Sequence, residues 1–469
     1  MYRYSNLDKQ APGFFEAFVD IGSADEAGRV FYDVGEQAYF MRGPSGGAES
    51  ASCFLYRTME GDFILSARIR KGSDAGTCGL LLATESGDEV CRLSAASGLS
   101  PIASMGEEAG SAVGLEGSDV LQLERKGDAI VFSATRMGEE YVRLEEKLAG
   151  VVGSLRVGLF AGAGSEVFFG DARLTVPAWE GLVPYTDFLG SRLELLDIET
   201  GDREIVYSTK EGIEAPNWTP DGKTLIYNSG GRLYRFGLAS GVSAEMDTGF
   251  GIRNNNDHVL NWGADMIAIS HHTEEHDGKS IIYKLPVRGG IPEQLTLQGP
   301  SFLHGWSPDN KYVIYTAERG GKWNIWRTTT DGKGEEAQLT DSPGLSDGSE
   351  YSPDGKYIYF NSTRSGLMQI WRMKADGSEP EQVTDDQYNN WFPHLSPDGK
   401  TLVFLSYGQD VEPANHPYYK HVFLRTMPVS GGAPRIVAYL YGGQGTINVP
   451  SWSPDGRKVA FVSHTVLDA

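Results

Sequence analysis

A chain of 469 residues, 40% hydrophobic and 22% charged, is too long for one ordinary core and too apolar for a disordered tail, so two or three globular domains are expected. Acidic residues outnumber basic ones 63 to 41, giving a formal charge of −22, and no Lys/Arg cluster stands out. That balance argues against nucleic acid or an anionic membrane surface as a partner.

The opening stretch "MYRYSNLDKQAPGFFEAF" has no apolar leader core, and no run approaches the ~18 apolar residues of a membrane span. A cytoplasmic location without membrane insertion is expected for the chain as written, or a periplasmic or secreted one if a leader has been trimmed. Cys53, Cys78 and Cys91 lack CxxC spacing and are odd in number, which reads as buried free thiols. Period-2 runs follow: "GDFILSARIR" (61–70), "LQLERKGDAIVFSATR" (121–136), "SLRVGLFAGAG" (154–164) and "EVFFGDARLTV" (166–176). Gly, Asp and Ser clusters separate these half-buried antiparallel strands, and "RKGDAI" predicts a hairpin turning at Gly127 and Asp128.

All nine tryptophans and all nine histidines lie at or after Trp179, and all three cysteines before it. The composition breaks near residue 180, so domains are expected over 1–180 and 181–469. The first reads as a two-sheet β-sandwich. Its order of "GDF-x-L-x-A-R-x-R", a Gly-Leu-Leu strand, "L-x-L-E-R-x-G-D" and "V-G-L-F" resembles the concanavalin-A-like, laminin-G-like jelly-roll modules of carbohydrate-active proteins. The resemblance implies an accessory role, packing or weak sugar binding, since the acidic cluster of catalytic members has no match.

Beyond residue 180 the chain repeats. "APNWTPDGKTLIYNS", "LHGWSPDNKYVIYTA", "GSEYSPDGKYIYFNS", "FPHLSPDGKTLVFLS" and "NVPSWSPDGRKVAFVS" share a turn whose aspartates are Asp221, Asp309, Asp354, Asp398 and Asp455. The spacing is about 45 residues, with a double step after Asp221 that a degenerate copy, "DHVLNWGADMIAIS", fills. Four short strands per repeat of this length predict a propeller blade, because one twisted sheet buries both faces only between neighbours. The repeats resemble the TolB-like propeller family, whose motif is W-S-P-D-G followed by I-A-F-type, I-W-type and L-T strands. The resemblance implies an all-β chain with six blades. The last blade should close two-plus-two, pairing residues 448–466 with 190–207.

Each SPDG turn should join the innermost strand to the second strand at the lower rim, which places the residues before the motif, and those after the second strand, at the upper rim. Every histidine falls in such a place. The upper funnel is therefore the expected site, with His258, Asp257, Glu350 and His394 as candidate acid/base groups. Asn217, Arg253, Asn255, Trp391, Tyr418, His421, Gln444 and Asn448 are candidate substrate contacts. His304, His394, His271 and His272 could hold a divalent metal ion (Ca, Mn or Zn), and no organic cofactor is expected. Arg319 and Arg364 read as framework. The "SYGQDVEPANHPYYKH" insert should form a wall or lid.

Taken together these residues point to a carbohydrate-active protein, a lyase or glycoside hydrolase acting on an oligosaccharide. A histidine-rich TolB-like funnel is similar to oligogalacturonate lyases, and only His304 and His394 transfer from that likeness, since those propellers have seven blades. A hydrolase would need two carboxylates, for which Glu350, Asp257 and Glu274 or Glu275 are candidates. The alternative is a non-catalytic TolB-like scaffold recruiting a glycan or peptide.

Overall fold

The computed structural model describes residues 13–467 apart from 47, 49, 71–75, 97–98, 107–109 and 149–152. The opening segment read for a leader lies largely outside the described residues. The chain divides into two compact units, residues 1–177 and 178–469. Among the described residues the only helical element is a single turn, Glu274–His276, and no helix is long and apolar enough to cross a membrane.

Among the described residues the first unit is two antiparallel seven-stranded sheets. Alternation along Phe63–Ile69, Val120–Lys126 and Leu155–Gly162 sends Phe63, Leu65, Leu121, Leu123, Leu155 and Val157 into one core shared by both sheets. Lys126 pairs with Ala129 across the two-residue turn, where Gly127 takes φ +60°. Cys53, Cys78 and Cys91 sit unpaired inside that core, and burial pushes the Cys53 and Cys78 thiols up to about 12. A thiol held neutral this way is packing material and not a nucleophile.

The second unit is a six-bladed propeller. Blades 1 to 5 are four-stranded antiparallel sheets whose innermost strands are Glu214–Trp218, Asn254–Leu260, Ser301–Trp306, Ser346–Tyr351 and Asn389–Leu395. The turn that follows each is built from its own side chains. In blade 3, Ser307 Oγ donates to Asp309 Oδ1 at 2.7 Å and accepts from Tyr312 N at 2.9 Å, while Lys311 N donates to Asp309 Oδ1 at 3.2 Å. The fourth residue needs the left-handed region, which Gly222, Gly355, Gly399 and Gly456 supply at φ 68–70°. The degenerate copy keeps that geometry with Ala264 at φ 53°, and Asn261 replaces the Ser/Asp pair by bonding Asp265.

Blade 6 is closed by both ends of the unit. Gly190–Asp197 pairs along its whole length with Lys458–Thr465 on one side and with Arg203–Thr209 on the other, and Trp452 adds a bridge to Val459. Inside it Glu194 is fully buried and forks onto Arg203 at 2.8 and 3.2 Å, and Arg203 also donates to Tyr439 O at 2.8 Å in blade 5. A charge pair this deep holds only while both partners are present.

Deleting residues 449–469 exposes the full edge of Gly190–Asp197, and the propeller is expected to lose its cooperative thermal transition. A truncated protein with an unchanged melting profile would show that the closing pairing does not hold the ring.

Candidate functional site

Every inner strand of blades 1 to 5 has more residues than its partner just ahead of the turn. Glu214 and Asn217 face Asn228 and Ile226; Asp347 and Glu350 face Asn361 and Tyr359; Trp391 and His394 face Leu405 and Val403. Blades 2 and 3 slip between Asn254 and His258 and between Leu303 and Gly305. Such a bulge re-aims the side chains beside it. In three blades the extra residue is left-handed: Ala215, Gly348 and Phe392 at φ 54–58°. At Gly348 a Cβ would lie 2.1 Å from Asn361 Oδ1, so a side chain there would have to displace that amide.

Below the bulge the strands stitch the blades together. Trp306 Nε1 donates to Val259 O at 2.9 Å and Trp452 Nε1 to His394 O at 3.0 Å. Two residues ahead of the turn, Asn217 Oδ1 accepts from Leu260 N at 3.3 Å and Glu350 Oε1 from Leu395 N at 3.0 Å, each across to the next blade. His394 occupies the same register. Its Nδ1 meets Glu350 Oε2 at 2.7 Å and its Nε2 meets Ile447 O, so this side chain links blades 4, 5 and 6.

Above the bulge the inner strands open onto a cavity of about 990 Å³. The residue five places ahead of the turn is Glu214, Asn256, Phe302, Asp347, Trp391 and Asn448 around the ring, and all but Trp391 line the cavity. Asp257, His304 and Phe392 join them from the bulges, with Asn254 and Asn255 beside them. The 408–419 insert supplies a wall through Ala414, His416 and Tyr418.

The charges form two groups. Asp347 Oδ1 accepts from His304 Nε2 at 2.8 Å, Thr316 Oγ1 at 2.7 Å and its neighbour Gly348 N at 2.8 Å. Burial opposes the charge on both members. The Asp347 carboxylate, with Asp257 beyond it, outweighs that and raises the His304 pKa, while His304, His416 and Thr316 hold Asp347 well below the usual carboxylate range. On the other side Glu214 accepts a hydrogen bond from Tyr418 Oη. Burial pushes its carboxyl up to about 7 against that bond, with the Asp257 charge adding to the rise. Burial likewise lifts Asp257 to about 6, although His304 and a 2.5 Å bond from Asn255 Nδ2 pull it down. His416 is lowered by burial, and its ring lies edge-on to Trp391 at 4.5 Å.

Of the residues singled out in the sequence, Asp257, Asn255, Tyr418, Gln444, Asn448, His304 and His272 line the cavity. His258 is fully buried against Asn256 O at 3.0 Å and Ile226 O at 3.2 Å, and burial pushes it down to about 4. Asn217, Glu350 and His394 lie in the inter-blade stitching, and Trp391 is packed behind the wall. Arg253 is exposed and pairs with Glu274 at 3.6 Å, and His421 packs against Tyr441. The four histidines considered as metal ligands are held apart by separate partners. His271 Nδ1 accepts from Arg253 N at 3.3 Å and His272 Nδ1 lies 3.0 Å from Gly278 O, while His304 and His394 face Asp347 and Glu350. Among the described residues no three His, Cys, Asp or Glu side chains gather in a way that would hold an ion. Arg319, bonded to Glu336 at 2.6 Å, and Arg364, over Trp371, are framework.

Glu214, Asp347, His416 and Tyr185 complete the cavity and are not among the sequence candidates. A column reading would have found the first two, since both stand five residues ahead of the turn.

The TolB beta propeller domain family (PD40) matches residues 300–416. An uncharacterized protein of Agrobacterium fabrum is 46% identical over 275 residues, 58% of this chain and 92% of that protein. The solved structure of a provisionally assigned TolB from Agrobacterium tumefaciens is 45% identical, covers 60% of this chain and 100% of its own, and superposes with a TM-score of 0.57. An oligogalacturonate lyase of Vibrio parahaemolyticus is 13% identical over 58% of this chain and 83% of its own with a TM-score of 0.39, too remote to transfer a residue.

Two measurements test this geometry. Replacing His394 with Asn is expected to cost about 2 kcal/mol, the scale of leaving buried partners unsatisfied, with no change in ligand binding at the cavity. A stability within experimental error of wild type would remove the stitching role. The second concerns pH. Glu214 and Asp257 have folded-state values above the ordinary carboxylate range, so the folded protein keeps their protons to higher pH than the unfolded chain. Their contribution is full below the unfolded value of about 4 and is lost as pH rises through about 7. Glu214→Gln should therefore flatten the decline in denaturant midpoint over that window; an unchanged slope would show that Glu214 is not held neutral.

Proposed function

Because the chain belongs, through its propeller, to the TolB-like PD40 family, whose relatives here have no assigned reaction, we propose from the cavity itself that the protein is a glycoside hydrolase. It takes the end of a hydroxyl-rich, non-anionic oligosaccharide into the upper funnel and cleaves a glycosidic bond there.

The observation that carries this reading is the separation of two cavity carboxyls by their surroundings. Glu214 is pushed up to about 7 and Asp347 is held well down by His304. A carboxyl whose proton is exchangeable near neutral pH and a second that stays ionised in the same cavity match the two roles that glycosidic cleavage requires. Glu214 delivers its proton to the leaving oxygen as the glycosidic bond breaks, Asp347 faces the positive charge developing at the anomeric carbon, and water adds its hydroxyl to that carbon while its proton restores Glu214. The volume of about 990 Å³ has room for several sugar rings, and Phe302 and Trp323, stacked at 6.0 Å, offer flat faces to them. A lyase acting on a uronate would need a cation for the substrate carboxylate, and among the described residues the lining contains three carboxylates and neither Lys nor Arg.

The first unit fits beside this as an accessory module. Two large antiparallel sheets around one core suit a concanavalin-A-like jelly roll, and its buried thiols offer no chemistry.

A screen of neutral and uronate-containing oligosaccharides tests the proposal. Neutral substrates should be hydrolysed, and Glu214→Gln should lower turnover by about 100-fold or more while binding persists. Sugar binding without turnover in any substrate would leave a non-catalytic glycan receptor, and cleavage of uronates alone would return the lyase.

A further inference from the structure

Glu214 differs from the other two cavity carboxyls in taking its hydrogen bond from the 408–419 insert. Tyr418 Oη donates to its Oε1, while among the described residues Oε2 has no hydrogen-bond partner, and Glu214 is a half-buried part of the cavity lining. Behind the side chain Gly445 comes so close that a Cβ there would lie 2.8 Å from Glu214 Cγ, and Gly445 O accepts from Ala215 N at 2.6 Å. With the stem blocked on that side and Oε1 on Tyr418, Oε2 is the oxygen left to the cavity. Tyr418 is itself fixed. Its insert is anchored by Asn389 Nδ2, which donates to Val411 O at 2.9 Å, and by Tyr407 Oη, which donates to Pro417 O at 3.2 Å. The Tyr418 ring packs with Leu189 and Tyr419, and burial and the Glu214 charge raise its pKa far above the ordinary phenol range, so the hydroxyl keeps its proton.

A protonated carboxyl donates from one oxygen and accepts on the other. We propose that Tyr418 is a positioning residue that decides which is which: its hydroxyl holds Oε1 as the acceptor, so that the proton of Glu214 is carried on Oε2, toward the sugar. This rests on the reading of Glu214 as the acid of glycosidic cleavage. A carboxyl without that bond can present either oxygen, and acid catalysis depends on the proton lying within hydrogen-bond reach of the leaving oxygen. The insert is then more than a wall, because it orients the acid that blade 1 supplies.

The pH behaviour follows from the groups facing Glu214: Tyr418 and Tyr419 from the insert, Tyr185 from the stretch ahead of Gly190–Asp197, and Asp257 from blade 2. Burial raises the Glu214 carboxyl most, the bond from Tyr418 lowers it, and Asp257 raises it. Removing the Tyr418 hydroxyl takes away the lowering influence, so the value should rise from about 7. A rise of about one pH unit is the scale of one hydrogen bond to a charged group.

Infrared difference spectroscopy of the full-length protein across neutral pH tests the proposal, with Glu214→Gln identifying the band of the protonated Glu214 carboxyl. A carbonyl that accepts a hydrogen bond absorbs at lower frequency than a free one. In Tyr418→Phe, which removes only the hydroxyl, that band is expected to move to higher frequency and to persist about one pH unit higher. An unmoved band with an unmoved titration overturns the positioning role. If Tyr418→Phe fails to fold, as judged by melting, the unaltered protein decides: a Glu214 band at the frequency of a free carbonyl overturns the proposal, and a lowered one supports it. Turnover separates this from the hydrolase reading. On a neutral oligosaccharide that the protein cleaves, Tyr418→Phe should lower kcat by about 10-fold with KM little changed, and move the basic limb of the pH profile up by the same unit. If the Glu214 band responds and no oligosaccharide is cleaved, the hydrolase reading falls and the role of Tyr418 stands.

Discussion

A bulge of one or two extra residues in the inner strands of blades 1 to 5 separates what holds this propeller together from what it presents. Below the bulge, side chains bond across to the next blade, Asn217 to Leu260 and Glu350 to Leu395, and indoles bond back to the preceding one, Trp306 to Val259 and Trp452 to His394. Above it the strand is rotated, and positions that strict alternation would send into a blade interface face the cavity instead. Left-handed φ at Ala215 and Phe392 is the strain that accompanies this turn, carried by residues that are not glycine. The ring can hold it because blade 6 closes with a full-length ladder and a buried ion pair.

The same bulge decides how much the sequence revealed. The turn is local chemistry, Ser or Thr and Asp bonding their own backbone, so its spacing gave the blades and their closure directly. A side chain's direction three to five residues upstream is a different matter. Counting back by twos from the motif puts Glu350 and His394 on the channel face. The unseen residue shifts the count, so those two become stitching and Glu214 and Asp347 take the cavity. His258 and His304 stand three residues ahead of their turns, yet one is sealed against carbonyls and the other faces Asp347, because blade 2 slips by more than blade 3. No periodicity in one sequence encodes that difference. The insert, expected as a wall or lid, does line the cavity through Ala414, His416 and Tyr418, and length and turn composition mark such a loop without any register at all.

The acidic composition also takes on a local meaning. A charge of −22 spread over a surface is screened by solvent and decides little. Three carboxyls inside one funnel are not screened, and each has had to find its own solution. Asp347 has an imidazole, Glu214 has a tyrosine hydroxyl and its own proton, and Asp257 has an amide from the next residue but one. These are unequal solutions. The ion pair of Asp347 with His304 keeps that carboxylate ionised and fixes its position. Glu214 can exchange its proton with a substrate without leaving a bare charge behind. Asp257 keeps the Asn255 amide and the charge of His304 against its burial. The three carboxyls thus share one cavity and differ in what each can give to a ligand: a fixed charge at Asp347, a proton at Glu214, and at Asp257 a carboxyl lifted to about 6.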